Sequence, residues 1–134
     1  MTHVSGSCLC GKVAFESKDD FQQFHLCHCI QCQKATGSAH AANLFTVPEN
    51  IKWLSGKQLV KRFDLPGRTI SNAFCMECGG AVPYLSLSGN SLIIPAGCLD
   101  TPVSIAPQDN IFCSEQAKWY QKAITAHKFD KFPE

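Results

Sequence analysis

The sequence has 134 residues, 45% of them hydrophobic and 17% charged, with a formal net charge of +1. This balance excludes wholesale disorder, and the dispersed basic residues argue against a nucleic-acid binder. No apolar run approaches the roughly 18 residues that cross a bilayer, and Met1–Gly11 has no signal-peptide core, so a cytoplasmic chain without membrane contact is expected.

In chain order, strand-like alternation begins at Lys12–Glu16, with Val13 and Phe15 on one side. Phe24 and Leu26 alternate into the cysteine-dense stretch Cys27-His28-Cys29-Ile30-Gln31-Cys32. Gln33–Gly37 reads as a helical turn and Ala39–Thr46 as a buried strand ending before Pro48. Further strands are expected at Gln58–Phe63, Thr69–Phe74, Val82–Leu87, Leu92–Ile94 and Ile111–Cys113. Turn signals separate them, among them Ser55-Gly56, Pro66-Gly67, Gly79-Gly80 and Ser88-Gly89-Asn90. Ser114–Ala126 reads as a short helix carrying Trp119 and Tyr120, and Phe129–Glu134 as irregular. Without repeats or linkers, one mainly β domain spanning 1–134 is expected.

Nine cysteines are many for such a chain, and the count is odd. With no secretion signal, metal binding outweighs a disulfide framework. Seven fall into three groups: Cys8/Cys10, Cys27/Cys29/Cys32 and Cys75/Cys78. On an extended chain the residues of C-x-C share a face, so both sulfurs can reach one ion. In C-x-x-C the chain must turn between the thiolates, and the following glycine (Gly79) supplies the backbone freedom for it. Cys8, Cys10, Cys75 and Cys78 therefore make a four-thiolate zinc site that contributes to folding directly. Cys27, Cys29 and Cys32 supply three ligands. Their site either keeps an open fourth position, as catalytic zinc sites do, or is closed by Cys98, Cys113 or a histidine. His28 points away from the ligands on a strand and reads as a surface or packing residue.

The segments GSCLCGKVAF (Gly6–Phe15), CHCIQCQKATGS (Cys27–Ser38), FCMECGG (Phe74–Gly80), PAGCLD (Pro95–Asp100) and KWY (Lys118–Tyr120) resemble, in order, the glutathione-dependent formaldehyde-activating enzymes, a family that includes centromere protein V. The resemblance implies a β-tent fold of short antiparallel sheets stabilised by zinc. It implies two zinc ions, a structural one at Cys8/Cys10/Cys75/Cys78 and a catalytic one at Cys27/Cys29/Cys32. The implied reaction is a carbon–sulfur lyase step, the reversible joining of glutathione to formaldehyde as in S-(hydroxymethyl)glutathione synthase. Glutathione or a similar small thiol and a small aldehyde are thus the expected partners. Two positions depart from the family pattern: Cys98 stands where a hydroxyl residue is common, and Asn110 where a histidine is common. Cys98 is therefore a candidate fourth ligand.

Three thiolates around Zn²⁺ leave a net charge of −1, a poor Lewis acid for a carbonyl but a site that holds a further sulfur as thiolate. A separate donor, a hydroxyl or backbone N–H, is then required at the aldehyde oxygen. The carboxylates of glutathione call for a nearby cation, and Lys34 is the first choice, ahead of Arg68 and Lys118. Two other readings are a thiol-binding carrier with little catalysis and a zinc-stabilised interaction module.

Overall fold

The computed structural model describes residues 2–133. Strands β1 (His3–Ser7), β2 (Ala14–Lys18) and β5 (Ile51–Ser55) form an antiparallel sheet in the order β1-β2-β5. A five-stranded sheet has the order β10-β3-β4-β9-β8, from β3 (Gln23–Cys27), β4 (Ala41–Thr46), β8 (Tyr84–Leu85), β9 (Leu92–Pro95) and β10 (Asp109–Ile111). Strands β6 (Val60–Asp64) and β7 (Ser71–Cys75) make a two-stranded ribbon. Pairing is antiparallel except between β10 and β3. Helices α1 (Ile30–Thr36) and α2 (Tyr120–Thr125) are short, and no helix is long and apolar enough to cross a membrane. The mainly β expectation holds.

Alternation decides which side chains go inside. Ser71, Ala73 and Cys75 of β7 are buried while Asn72 and Phe74 are half-buried. Phe15 of β2, Leu44 of β4 and Leu92 and Ile94 of β9 form the main core with Phe24 and Cys98. Trp53 tilts against Phe15 at 59° with ring centroids 6.0 Å apart. Each fully buried Phe or Leu contributes about 1.5–3 kcal/mol. Two smaller clusters incorporate sulfur: Cys8 and Cys75 with Val13, Ala73 and Val82, and Cys27 and Cys32 with Ala41. The metal-type cysteines are thus part of the packing.

The structure departs from the sequence expectations in several places. Strands β1 and β5 were not anticipated. The sequence His-Val-Ser-Gly-Ser of β1 conceals its buried face because one of the inward positions is Gly6. A Cβ on Gly6 would lie 2.4 Å from Phe15 Cζ and 2.7 Å from the Cys98 carbonyl oxygen, so only glycine lets β1 close over the core. Helix α1 starts at Ile30, earlier than Gln33, because Cys29 caps it. The expected helix Ser114–Ala126 breaks into a 3₁₀ turn at Cys113–Glu115 and α2. Phe129 to Pro133 is irregular, and Glu134 lies outside the described residues.

Candidate metal centres and adjoining cavities

Two backbone turns bring Cys8, Cys10, Cys75 and Cys78 together, with all four sulfurs within 4.8 Å of one another. Cys8 and Cys10 follow the end of β1 in a turn, not on an extended strand. Gly11 donates its N–H to Cys8 O at 3.0 Å, and its φ of 81° is open to glycine at little cost. In the second turn Gly79, at φ 73°, donates to Cys75 O at 2.8 Å. The two turns touch, since a Cβ on Gly80 would stand 2.8 Å from Leu9 N. Sulfur separations of 3.5 Å (Cys8–Cys10) and 4.0 Å (Cys10–Cys75) bracket the edge of a tetrahedron with Zn–S bonds of about 2.3 Å, about 3.8 Å.

Backbone N–H groups also point at these sulfurs, from Val13 to Cys8 (3.3 Å), Glu77 to Cys75 (3.4 Å) and Gly80 to Cys78 (3.4 Å). Such donors stabilise thiolate charge. The Gly80 N–H, joined by one at Cys10, pulls the Cys78 thiol down to about 6. Four soft donors in tetrahedral reach, three of them accepting backbone N–H groups, fit zinc. Lys12 pairs with Glu77 across the two turns.

The second group forms where β3 ends. Cys29 leaves the strand at φ −64°, ψ 153° as the N-cap of α1, and its sulfur accepts the Cys32 N–H at 3.3 Å. The sulfurs of Cys27, Cys29 and Cys32 again lie within 4.8 Å of one another. Burial raises the thiols of Cys32 and Cys27 above the ordinary range, with neighbouring sulfurs contributing at Cys32. A bound divalent cation inverts that preference, because a coordinating thiol is deprotonated outright. This set also fits zinc, as three ligands of four.

Several contacts hold the loop rigid. Gln33 Nε2 donates to His28 O (2.8 Å) and Glu115 O (2.9 Å), and Glu115 Oε1 accepts the Ile30 N–H (2.9 Å). His28 is fully buried and lies 2.9 Å from Asn110 Oδ1 through Nε2, so it is a packing residue. Its ring meets His40 and Tyr120 edge-on at centroid distances of 5.1 and 4.8 Å.

All three cysteines line one cavity, and Cys32 lines a second. One, of about 620 Å³, is lined by all three cysteines together with Arg68, Phe112 and Glu115. The other, of about 490 Å³, is lined by Cys32, Asn43, Asn72 and Tyr84 and bears no charged side chain. Cys32 and Ile70 belong to both walls. Both volumes fall in the small-molecule range of roughly 300–1,000 Å³. Phe112 holds a left-handed φ of 56°, a strained backbone for a bulky residue at a cavity wall.

The other candidates lie elsewhere. Cys98 does not join the three-sulfur group; it packs in the main core, opens onto a further cavity beside Cys8 and Asp100, and burial pushes its thiol up to about 12. Cys113 is exposed, its sulfur 3.5 Å from Asn110 O. Lys34 lines a smaller cavity of about 260 Å³ with Phe63 and Leu65, one that none of the cysteines lines. Lys118 is exposed, and Trp119 is half in solvent, whereas Tyr120 packs on His28.

The sequence model of the glutathione-dependent formaldehyde-activating enzyme family matches residues 3–115. The chain belongs to this family. The matched span holds both sulfur groups, Arg68 and Glu115, and ends before α2. The crystal structure of a Rhodobacter sphaeroides protein shares the fold, with a TM-score of 0.59 and 18% identity over 79% of this chain and 98% of that one. No curated protein matches the sequence. Family membership connects the chain in general terms to glutathione and formaldehyde, and the two sulfur groups are consistent with zinc.

Among the cavity residues, Asn43, Asn72, Phe112 and Glu115 went unremarked in the sequence. Asn43 shares a strand face with Ala41, and Asn72 with Ile70 and Phe74, so alternation carried a signal for both. Nothing local marks Phe112 or Glu115, which reach the site through β10, a strand paired with β3 from far along the chain.

Proposed function

We propose that the protein is a zinc-dependent carbon–sulfur lyase that joins glutathione, or a similar small thiol, reversibly to formaldehyde or a related aldehyde. The observation that carries this reading is the convergence of Cys27, Cys29 and Cys32 on the wall of one cavity, with Cys32 lining a second as well. In this reading Cys8, Cys10, Cys75 and Cys78 hold a structural zinc, and Cys27, Cys29 and Cys32 hold the second with one position left for a ligand sulfur. Bound there, the ion supplies the charge that keeps a ligand sulfur deprotonated. The free-thiol chemistry of nine cysteines suits the reducing cytoplasm, and the protein acts there as one domain over 1–134.

The chain's own residues arrange the rest. Burial around Cys27 and Cys32 limits water at the sulfurs. The side-chain amides of Asn43 and Asn72 have no hydrogen-bond partner among the described residues and face the uncharged cavity, where they donate to the aldehyde oxygen. In the addition the S–C bond forms as the C=O π bond opens, and the proton lost by the thiol ends on the new hydroxyl oxygen through cavity water. Two donors at a developing oxyanion are the usual means of lowering such a barrier.

Exchange NMR between formaldehyde and S-(hydroxymethyl)glutathione, in the presence of zinc-loaded protein, tests the reading. Catalysed exchange above the spontaneous rate is expected, abolished in Cys32→Ser and reduced roughly 10²-fold in Asn72→Ala. Tight glutathione binding with no acceleration would convert the protein to a carrier, and two zinc ions indifferent to glutathione would leave only an interaction module.

A further inference from the structure

We infer that Arg68 is the specificity residue of the three-sulfur site, a cation that selects thiols bearing a carboxylate. The inference rests on the thiol-capture reading above.

The sequence favours Lys34 for this task because it stands two residues after Cys32. On a helix, however, two residues correspond to about 200°, so the side chains of Cys32 and Lys34 leave opposite faces. The cysteine goes to the sulfur group and the lysine to the smaller cavity with Phe63 and Leu65. Arg68 comes to the sulfurs from the other side, on the loop joining β6 to β7. That loop is built by its Pro-Gly pair. Pro66 fixes the first turn position, Gly67 takes φ 72°, and the Arg68 N–H closes on Leu65 O at 3.1 Å. Leu65 N–H meets Ile70 O at 3.2 Å, which brings Arg68 and Thr69 over the cavity wall continued by Ile70.

The charges of the hairpin and of the cavity wall are unequal in their commitments. Arg62, on the same hairpin, is fully engaged with Asp64 (2.8 Å), Leu85 O (2.5 Å) and Ser71 (3.1 Å). Glu115, on the far wall, is bound through Oε1 to the Ile30 N–H. Arg68 has no side-chain hydrogen bond or ion pair among the described residues and does not pair with Glu115 across the cavity. A planar guanidinium offers a carboxylate two parallel donors, which a lysine at the same place cannot match. A thiol whose sulfur reaches Cys27, Cys29 and Cys32 would therefore place its carboxylate end in the charged cavity. The uncharged cavity past Cys32 is left for the carbonyl compound.

The test compares an anionic with a neutral thiol. Zinc-loaded wild type, Arg68→Ala, Arg68→Lys and Lys34→Ala are titrated with glutathione and with 2-mercaptoethanol, and binding is followed by calorimetry. Cobalt substitution adds a sulfur-to-metal charge-transfer band that reports binding of the thiol itself. Arg68→Ala is expected to weaken glutathione roughly tenfold while leaving 2-mercaptoethanol within about twofold, and Arg68→Lys to recover part of the loss. Lys34→Ala changes neither. An equal loss for both thiols in Arg68→Ala would overturn the inference, showing that the arginine only offsets the negative charge of the sulfur group. No loss for either would reduce it to a surface charge. Wild-type protein that binds neither thiol would instead remove the thiol-capture reading itself, and this inference with it.

Discussion

His40 shows how a single half-buried ring couples the stability of the fold to pH. Burial, and next the neighbouring His28, hold its pKa below the ordinary 6.5, and Tyr120 closes the third side of the cluster. Its Nδ1 and that of His28 are buried without a partner among the described residues. Below the ordinary value the unfolded chain takes up a proton that the folded chain refuses, so the unfolded state binds more protons and stability falls as pH falls. The contribution is full above about pH 6.5 and is lost progressively below it. Urea midpoints measured between pH 7.5 and 5.5 should decline more steeply in wild type than in His40→Phe, which keeps the packing but cannot titrate. Parallel declines would assign the acid sensitivity to other groups. Gly6 is the second decisive residue. Gly6→Ala forces a methyl to within 2.4 Å of Phe15 and into the Cys98 carbonyl. It should cost about 1–3 kcal/mol in equilibrium unfolding, the range for overpacking a closed site.

At the scale of elements, the two sulfur groups are built by different devices and should fail differently. The four-sulfur group is two turns with no helix, bordered by a cavity only through Cys8, and Cys8 and Cys75 belong to a core cluster. If this group holds the structural ion of the proposed function, Cys78→Ser should cost that ion and with it cooperative unfolding, visible as a broadened thermal transition and a loss of near-ultraviolet dichroism. The three-sulfur group is a strand end joined to a helix cap, and it adjoins two cavities. Cys32→Ser should lose one zinc per chain, counted by metal analysis, while the thermal transition remains sharp. If both variants lost cooperativity alike, the division into a structural and a functional centre would be wrong. The β6–β7 hairpin belongs to the second device as well. Ser71, and next Arg62, hold the Asp64 carboxyl below its ordinary range, fixing the base of the arm that carries Arg68.

Over the whole molecule, the two centres tie together segments far apart in the chain. Cys8 and Cys10 meet Cys75 and Cys78, uniting the three-stranded sheet with the β6–β7 ribbon. The parallel pairing of β10 with β3 carries Phe112 and Glu115 to the three-sulfur group. The site is consequently assembled from four stretches: the β3–α1 corner, the β6–β7 loop, the half-buried positions Asn43 of β4 and Asn72 of β7, and the segment after β10. A closed sulfur group can be written into local spacing, but a cavity cannot, since its walls meet only after folding.

The sequence by itself determined the make-up of the sulfur groups: the C-x-C and C-x-x-C spacings, each turn-forming glycine, the separation of seven cysteines into a set of four and a set of three, and the family they point to. These are short-range properties, fixed by how many bonds lie between two sulfurs. It also determined the mainly β character, because alternation survives in most of the strands. It did not reveal β1, whose inward face is partly a glycine, or the break in the C-terminal helix. Only the tertiary structure decided that Cys98 belongs to the core, that Lys34 faces away from the sulfurs, and that Arg68 and the two asparagines line the cavities beside them. Those outcomes depend on helical phase and on contacts between remote strands, and neither is encoded by distance along the chain.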